Sequence, residues 1–192
     1  MAGLREASWL TWANALTSLR LVAAWPLYLS IARGNWWVAC ALFWFAVASD
    51  LVDGRVARAR GESSAFGGLL DHASDATFAI VGLLALADSG RTPWMLPYLV
   101  GAAFIQYVLD SKTLAGRPLR ASALGRWNGI LYFVPIGVVV TRESLSLTAP
   151  GDGLVFLLGW ALAISTLISM SDRLWALVAS RAESRDSSST SI

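Results

Sequence analysis

Four aspartates stand beside strongly apolar sequence in the stretch DLVDGRVARARGESSAFGGLLDHASD, which begins at Asp50 and ends at Asp75. Asp50 and Asp53 are three residues apart, and Asp71 and Asp75 are four apart, so each pair would share one face of a helix. Two helices joined by a short turn around Gly61 could bring all four carboxylates to one point. The spacing therefore predicts a cluster of negative charge.

Such a cluster of carboxylates is stable only if its charge is neutralised. Like charges at close range repel and are costly to desolvate, so the carboxylates would bind divalent cations, or some of them would be protonated. Oxygen ligands alone favour Mg²⁺, Mn²⁺ or Ca²⁺ over zinc. Acidic residues in membrane-spanning sequence usually have a function. The alternative is ion pairing at the interface with Arg55, Arg58 and Arg60.

Small residues accompany the aspartates. Gly54 and Ala57 fall on the helix face of the first acidic pair, and Gly67 lies one turn before the second pair. These positions leave space in which a bulky group could approach the cations. Arg58, one turn beyond Gly54, has the planar donor geometry that suits phosphate oxygens. The pattern indicates a metal site with room for a phosphorylated ligand.

The composition of the chain places these residues in a membrane protein. Of 192 residues, 56% are hydrophobic and 15% are charged, and the mean hydropathy is +0.56. An ordinary soluble domain is less apolar and more charged. The formal net charge of +2 says little about partners, and no nucleic-acid partner is expected. The composition predicts an all-α integral membrane protein.

Six apolar stretches are long enough to cross a bilayer as helices, which takes about 20 residues each. Turn signals separate them, including Gly34-Asn35, Ser89-Gly90 and Pro150-Gly151. We expect a single bundle in one domain, residues 1–182, followed by a disordered Ser-rich tail, residues 183–192. The six transmembrane helices are predicted at residues 14–33, 36–57, 67–88, 93–112, 122–141 and 152–178.

The distribution of basic residues predicts the orientation of the bundle. On a path with six crossings, twelve Lys and Arg residues fall on the N-terminal side and three, Arg33, Arg91 and Arg142, on the opposite side. Basic residues concentrate on the cytoplasmic side of membrane proteins. Both termini are therefore predicted to be cytoplasmic (N-in/C-in). The aspartates would lie just inside the cytoplasmic boundary, in the last turns of the second helix and the first turns of the third.

The residues from Asp50 to Asp75 follow the pattern D-x2-D-G-x2-A-R-x8-G-x3-D-x3-D. This pattern resembles the signature of the CDP-alcohol phosphotransferase (CDP-alcohol phosphatidyltransferase) family. All eight defined positions match. An upstream segment, NALTSLRLVAAWP, is similar to the opening of the first helix in that family. The matching residues there are Asn14, Leu16, Thr17, Arg20 and Pro26, while Ala13 replaces a proline that often precedes the asparagine.

The resemblance implies a six-helix membrane enzyme, usually a homodimer, that carries two divalent cations, Mg²⁺ or Mn²⁺. Such an enzyme transfers a substituted phosphate from a CDP-linked donor to an alcohol and releases CMP. By position, the metal ligands would be Asp50, Asp53, Asp71 and Asp75, and Asp75 would also be the general base. The CDP pocket would be lined by Gly54, Ala57, Arg58 and Gly67, with Asn14, Thr17 and Arg20 nearby.

The depth of the site predicts the donor. Near the cytoplasmic boundary, acyl chains can stay in the bilayer while the cytidine and the acceptor enter from water, so CDP-diacylglycerol is the predicted donor. A soluble CDP-alcohol that reacts with a lipid acceptor is the alternative. The short chain resembles the bacterial phosphatidyltransferases of phospholipid synthesis, which implies the bacterial cytoplasmic (inner) membrane and an active site that faces the cytoplasm.

The acceptor alcohol is harder to predict. Four cationic residues crowd the connection between the fourth and fifth helices and could bind a phosphorylated acceptor, such as glycerol 3-phosphate or an inositol phosphate. Positive-inside bias alone would also place them there, and both interpretations stay open. Asp110 could bind an acceptor hydroxyl or pair with a neighbouring cation, and His72 is expected to pack rather than to bind metal. The four cationic residues are Lys112, Arg117, Arg120 and Arg126.

Two other classes of function fit the sequence less well. A divalent-cation transporter would need polar residues across the whole membrane, whereas the segments WWVACALFWFAVAS and ATFAIVGLLALA are almost wholly apolar. A catalytically silent membrane scaffold would be favoured by the loss of a motif aspartate, and none is lost. The sequence therefore favours the transferase.

Overall fold

The chain folds into helices wherever its structure is described. A computed structural model describes the backbone of residues 12–60, 65–113 and 123–189, and the side chains of residues 17–51, 68–110 and 124–176. No strand occurs in these ranges, which confirms the all-α prediction. The helices are α1 (Trp12–Ala32), α2 (Trp36–Arg60), α3 (Ala65–Asp88), α4 (Met95–Thr113), α5 (Ala123–Leu131), α6 (Phe133–Ser144) and α7 (Asp152–Ser189).

The first four helices end within three residues of their predicted bounds. Gly34 and Gly90 follow α1 and α3 and have φ angles of 68° and 72°. This left-handed conformation is open to glycine because it has no Cβ, and it commonly ends a helix. The glycine turn signals in these two connections therefore act as the sequence predicts.

The fifth predicted helix, residues 122–141, is two helices in the structure, α5 and α6, with a break at Tyr132. Pro135 gives the physical reason. It has no N–H to donate to the carbonyl of Leu131, four residues earlier, and its ring crowds that carbonyl. Leu124–Ser144 is nevertheless one apolar stretch of 21 residues, long enough to cross a membrane. The two helices thus form one bent segment.

The last helix is longer than the sequence predicts. α7 runs to Ser189, so residues 183–189 are helical although the sequence predicts a disordered tail from residue 183. Extending an existing helix needs no new nucleus, and polar residues can therefore continue it at little cost. The Ser-rich composition alone did not indicate this.

The helices pack around a shared apolar core. α1 lies against α2 and α3, while α6 contacts α2, α3 and α7, and α4 contacts α3 and α7. The rings of Phe43, Phe78 and Phe133 meet in the centre, with centroids 6.1 to 6.4 Å apart. A Cβ on Gly137 would lie 2.8 Å from the Phe43 ring, so this glycine lets α6 approach α2 closely. These contacts hold α2, α3 and α6 together at the centre of the bundle.

The outer surface of the bundle is apolar. Large side chains such as Val22, Trp37 and Leu157 are exposed, and an exposed apolar surface of this extent suits lipid rather than water. The stretches long and apolar enough to cross a membrane are Gly68–Asp88, Leu124–Ser144 and Asp152–Ala176, and shorter apolar helices cover Trp36–Leu51 and Met95–Asp110. The chain is an integral membrane protein.

Candidate active site

Three of the four predicted metal ligands converge where α1 contacts both α2 and α3. The Arg20 guanidinium of α1 binds all three: its Nη2 lies 3.0 Å from Oδ1 of Asp50, and its Nη1 lies 3.2 Å from Oδ1 of Asp71 and also contacts Oδ1 of Asp75. Asp53 lies one turn beyond Asp50 in α2, and its side chain is outside the described residues. The structure thus brings carboxylates from two helices to one point.

Helix geometry explains why α3 contributes two acids. Asp71 and Asp75 are one turn apart and share a face, and Ser74 between them is buried. The Ser74 hydroxyl accepts a hydrogen bond from Arg20 Nη1 at 3.3 Å and donates one to the Asp71 carbonyl at 3.1 Å. This serine therefore supports both the helix and the guanidinium.

The acids lie two to three residues further from the ends of their helices than the predicted bounds place them. α2 continues ten residues past Asp50, to Arg60, and α3 begins six residues before Asp71. Helix propagation past the predicted ends accounts for the difference. The acidic cluster therefore lies at least one turn away from the connection between α2 and α3.

The cluster is accessible on one side only. Arg20 is 1% exposed, whereas the side chains of Asp50, Asp71 and Asp75 are 44%, 35% and 32% exposed. Each carboxylate therefore turns one side toward the buried guanidinium and leaves another open. A ligand can approach the cluster from that open side.

The charge of the cluster fits a divalent cation. Three carboxyl groups face one guanidinium among the described side chains, so the acidic groups outnumber the basic one in a partly desolvated site. The donors are carboxylate oxygens, the ligands that Mg²⁺ and Mn²⁺ prefer. The residues present therefore fit the divalent metal that the sequence predicts.

His72 borders this cluster as well. One ring nitrogen of His72 and carboxylate oxygens of Asp71 and Asp75 all lie within 4.8 Å of one another. The imidazole also meets the ring of Tyr107 edge-on, with centroids 5.8 Å apart. The contact with Tyr107 is of the packing kind that the sequence predicts, but the ring is close enough to the carboxylates to add a nitrogen ligand.

Most residues of the predicted CDP pocket lie outside the described side chains. Thr17 is among the described residues and is buried one turn before Arg20, so the two side chains lie on the same face of α1. The others occupy helical backbone, at Asn14 in α1, Gly54, Ala57 and Arg58 in α2, and Gly67 in α3. Their roles stay predictions.

The predicted acceptor residues are described only in part. Arg126 is exposed in α5. The side chain of Lys112 and the whole of Arg117 and Arg120 lie outside the described residues. The structure therefore gives no position for three of these four guanidinium or ammonium groups.

Another cation, Arg173 of α7, lies beside α4 and α5, the two helices around whose connection the predicted acceptor residues lie. Its guanidinium carbon lies 5.8 Å from the centroid of the Tyr107 ring, and Asp110 of α4 is close enough to attract its charge. A Cβ on Gly125 of α5 would overlap this guanidinium. Arg173 therefore connects α7 with α4 and α5, and Tyr107 connects it with His72 beside the acidic cluster.

The sequence predicts only that Arg173 is one of the basic residues on the cytoplasmic side. The available signal was its position near the end of an apolar stretch, Asp152–Ala176, because charged residues in such stretches tend to be functional. Its partners could not be predicted, since Tyr107 and Gly125 are distant in sequence.

An apolar groove of about 530 Å³ lies between α2 and α6. Its lining includes Val47, one turn before Asp50, and extends to Leu147 and Pro150 at the other end of α6. Trp44 Nε1 donates a hydrogen bond to Thr141 Oγ1 at 3.0 Å where the two helices meet. The groove therefore extends away from the acidic cluster along the lipid-facing surface.

Comparison with known proteins adds independent information. The model of the CDP-alcohol phosphatidyltransferase family matches residues 10–173 of the chain. The chain is 30% identical over 143 residues to a CDP-diacylglycerol–glycerol-3-phosphate 3-phosphatidyltransferase of Cereibacter sphaeroides, a match that covers 69% of this chain and 64% of that protein. It is 29% identical over 118 residues to a protein of the same name from Pseudomonas fluorescens, covering 59% and 54%. The matches thus span less than two-thirds of the relatives' own lengths.

Proposed function

This chain belongs to the CDP-alcohol phosphatidyltransferase family, and from that premise we propose that it is a transferase of phospholipid synthesis. It transfers a phosphatidyl group from CDP-diacylglycerol to a small alcohol and releases CMP. The observation that carries the proposal is the meeting of Asp50, Asp71 and Asp75 at one accessible, negatively charged point inside an apolar bundle.

The metal site consists of the four motif aspartates, which hold two divalent cations, Mg²⁺ or Mn²⁺. The convergence of three carboxyl groups on one guanidinium supports this assignment, and Asp53 of α2 would add a fourth carboxylate. Cations bound there would neutralise the charge of the diphosphate and of the transition state. Replacement of Asp50 or Asp71 by asparagine is expected to weaken cation binding.

Asp75 acts as the general base. Its carboxylate accepts the proton of the incoming hydroxyl as that oxygen forms a bond to the phosphorus of the phosphatidyl group, and the bond from this phosphorus to the CMP oxygen breaks. CMP leaves with the electron pair of that bond. The contact with Arg20 fixes the direction of the Asp75 carboxylate, which supports a proton transfer that depends on position.

The donor is held by its nucleotide and by its acyl chains. Asn14, Thr17 and Arg20 of α1, with Gly54, Ala57, Arg58 and Gly67, line the pocket for the CDP group. The groove between α2 and α6 supports the lipid character of the donor, because it is apolar and begins one turn from Asp50. A diacylglycerol chain can lie in it while the diphosphate is at the aspartates.

The acceptor is a phosphorylated alcohol, with glycerol 3-phosphate the first candidate. The name of the Cereibacter sphaeroides relative supports this choice, and so does Arg173, whose guanidinium can form charge-assisted bonds to a phosphate. The predicted cations Lys112, Arg117, Arg120 and Arg126 would add to the same positive region.

The proposed topology has six crossings, with α5 and α6 counted as one and both termini in the cytoplasm. The excess of basic residues on that side supports this orientation, and the bacterial relatives support the inner membrane. The active site then faces the cytoplasm, within a membrane domain of residues 1–182. The family resemblance further implies a homodimer.

The decisive experiment is an assay with defined substrates. The purified chain receives Mg²⁺ or Mn²⁺, CDP-diacylglycerol and an equimolar mixture of glycerol 3-phosphate, inositol phosphate, inositol and serine. CMP release is measured, and lipid products are identified by mass spectrometry, with Asp75→Asn and an EDTA sample as controls. We expect metal-dependent CMP release and the glycerol 3-phosphate product. No CMP release with any acceptor would refute the transferase.

A further inference from the structure

Arg20 has an unusual place for a basic residue. It lies in the apolar helix α1, is 1% exposed, and is the largest fully buried side chain among the described residues. A guanidinium is always charged, has only donor groups, and is expensive to bury without acceptors. Its position therefore depends on the acidic residues that surround it.

These acceptors come from both neighbouring helices. Asp50 belongs to α2, while Asp71, Ser74 and Asp75 belong to α3. α1 is the helix that packs against α2 and α3 at once. One guanidinium thus ties together three helices at the point where the carboxylates would otherwise repel each other.

The oxygens that Arg20 binds are also the oxygens that a divalent cation would use. Oδ1 of Asp50, Asp71 and Asp75 each contacts the guanidinium. A carboxylate has further lone pairs on its exposed side, so a cation can enter without expelling the arginine completely. The positive charge of Arg20 still opposes the approach of the cation.

We propose that Arg20 is a positioning residue that serves as the internal counter-cation of the acidic cluster. In the absence of divalent metal it keeps the carboxylates of α2 and α3 converged, and it competes with a bound cation for their oxygens. This inference rests on the metal site of the proposed function. It adds a role for Arg20 that is separate from contact with the CDP group.

The test compares the wild-type chain with Arg20→Gln and Arg20→Lys, purified in detergent. Tm is measured in EDTA and at rising MnCl₂, and Mn²⁺ binding is measured from the paramagnetic resonance of the unbound ion. Arg20→Gln is expected to have a lower Tm in EDTA than the wild type. Its Mn²⁺ affinity should rise on the order of tenfold, because a positive charge a few ångströms from the cation is removed.

The lysine variant separates charge from geometry. Arg20→Lys keeps the positive charge, so its Mn²⁺ affinity should stay close to that of the wild type. An ammonium lacks the planar fork that reaches several carboxylates, so the Tm in EDTA should fall below the wild-type value. Saturating Mn²⁺ should raise Tm most in Arg20→Gln, because tighter binding stabilises the folded state more.

A matched control comes from the other end of the bundle. Arg91 is partly buried, and its guanidinium lies 3.4 Å from carboxylate oxygens of both Glu143 and Asp152. Arg91→Gln should lower Tm by the same amount in EDTA and in MnCl₂, and should leave the Mn²⁺ affinity unchanged. This variant measures the loss of an arginine that does not face the metal site.

Three results would overturn the inference. Two concern Arg20→Gln: it binds Mn²⁺ no more tightly than the wild type, or it cannot be folded even with saturating Mn²⁺. The third is a wild-type chain that binds no Mn²⁺. The last result would also remove the metal site. If the cation measurements turn out as expected but no CMP is released with any acceptor, only the proposed transferase activity fails.

Discussion

The buried arginine Arg142 offers a prediction whose size can be worked from the structure. Its guanidinium donates to the Pro150 carbonyl at 2.6 Å and to carboxylate oxygens of Glu143 and Asp152 at 2.5 Å each. These contacts join the end of α6 to the connection that precedes α7 and to the start of α7. We expect Arg142→Met, which keeps much of the volume but removes the charge and every donor, to destabilise this junction.

The magnitude follows from what the substitution leaves behind. Removing one partner of a buried ion pair costs about 3 to 5 kcal/mol. Glu143 and Asp152 are 26% and 56% exposed, and Arg91 still faces both, so water and Arg91 offset part of the loss. The lower end, about 3 kcal/mol, is therefore expected. For a chain of this size that corresponds to a fall in Tm of about 6 to 12 °C.

The assay is thermal unfolding in detergent, with Arg33→Met as the matched control. Arg33 is exposed just after α1, and an exposed substitution of this kind changes stability by at most about 0.5 kcal/mol. A further variant, Asp152→Asn, should lower Tm less in the Arg142→Met background than in the wild type, since the pair is already broken. A Tm for Arg142→Met within 2 °C of the Arg33→Met value, by the same scaling, would refute the reasoning.

Two further predictions concern the proposed reaction. Asp75→Asn should lower kcat by roughly 10²- to 10⁴-fold, the usual contribution of a general base. Binding of CDP-diacylglycerol in the presence of Mn²⁺ should persist in an equilibrium binding assay. If the variant instead fails to fold, Asp75 has a structural role. Arg173→Gln should lower kcat/KM for glycerol 3-phosphate by roughly 10- to 100-fold, through a lost charge-assisted bond, with little change in the KM for CDP-diacylglycerol. Gly125→Ala should act in the same direction by displacing the Arg173 guanidinium, whereas Gly129→Ala, which meets no atom within 4 Å, should not. Equal effects of the two alanines would argue against Arg173 as an acceptor residue.

Local periodicity explains how much of the site could be predicted. The pairing of Asp71 with Asp75 on one face depends only on helix geometry. The meeting of Asp50 with this pair depends on two neighbouring helices joined by a short connection. Both features are visible in the sequence, and so is the motif that resembles the family signature.

Tertiary packing explains what could not be predicted. Arg20 is 51 to 55 residues from its partners in α3, and no local pattern indicates that its guanidinium lies between the carboxylates. Arg173 reaches Tyr107 from another part of the chain for a similar reason. The break at Tyr132 is different, because Pro135 lies within the fifth apolar stretch and is itself a sequence signal for a break in a helix.

The described residues contain two clusters of arginines and acids, and their different charge balance has a functional consequence. At the end of α6, Arg91 and Arg142 face Glu143 and Asp152, two positive charges against two negative ones. That cluster is neutral without any further ion, so it can serve as a permanent structural junction.

Around Arg20, the described side chains place three carboxyl groups against one guanidinium. A purely structural cluster would gain from a second arginine, since uncompensated charge is costly where water is partly excluded. A divalent cation bound there would compensate the charge of these carboxyl groups. The contrast between the two clusters therefore supports the proposed cation site at Asp50, Asp71 and Asp75, and this support does not depend on the sequence motif.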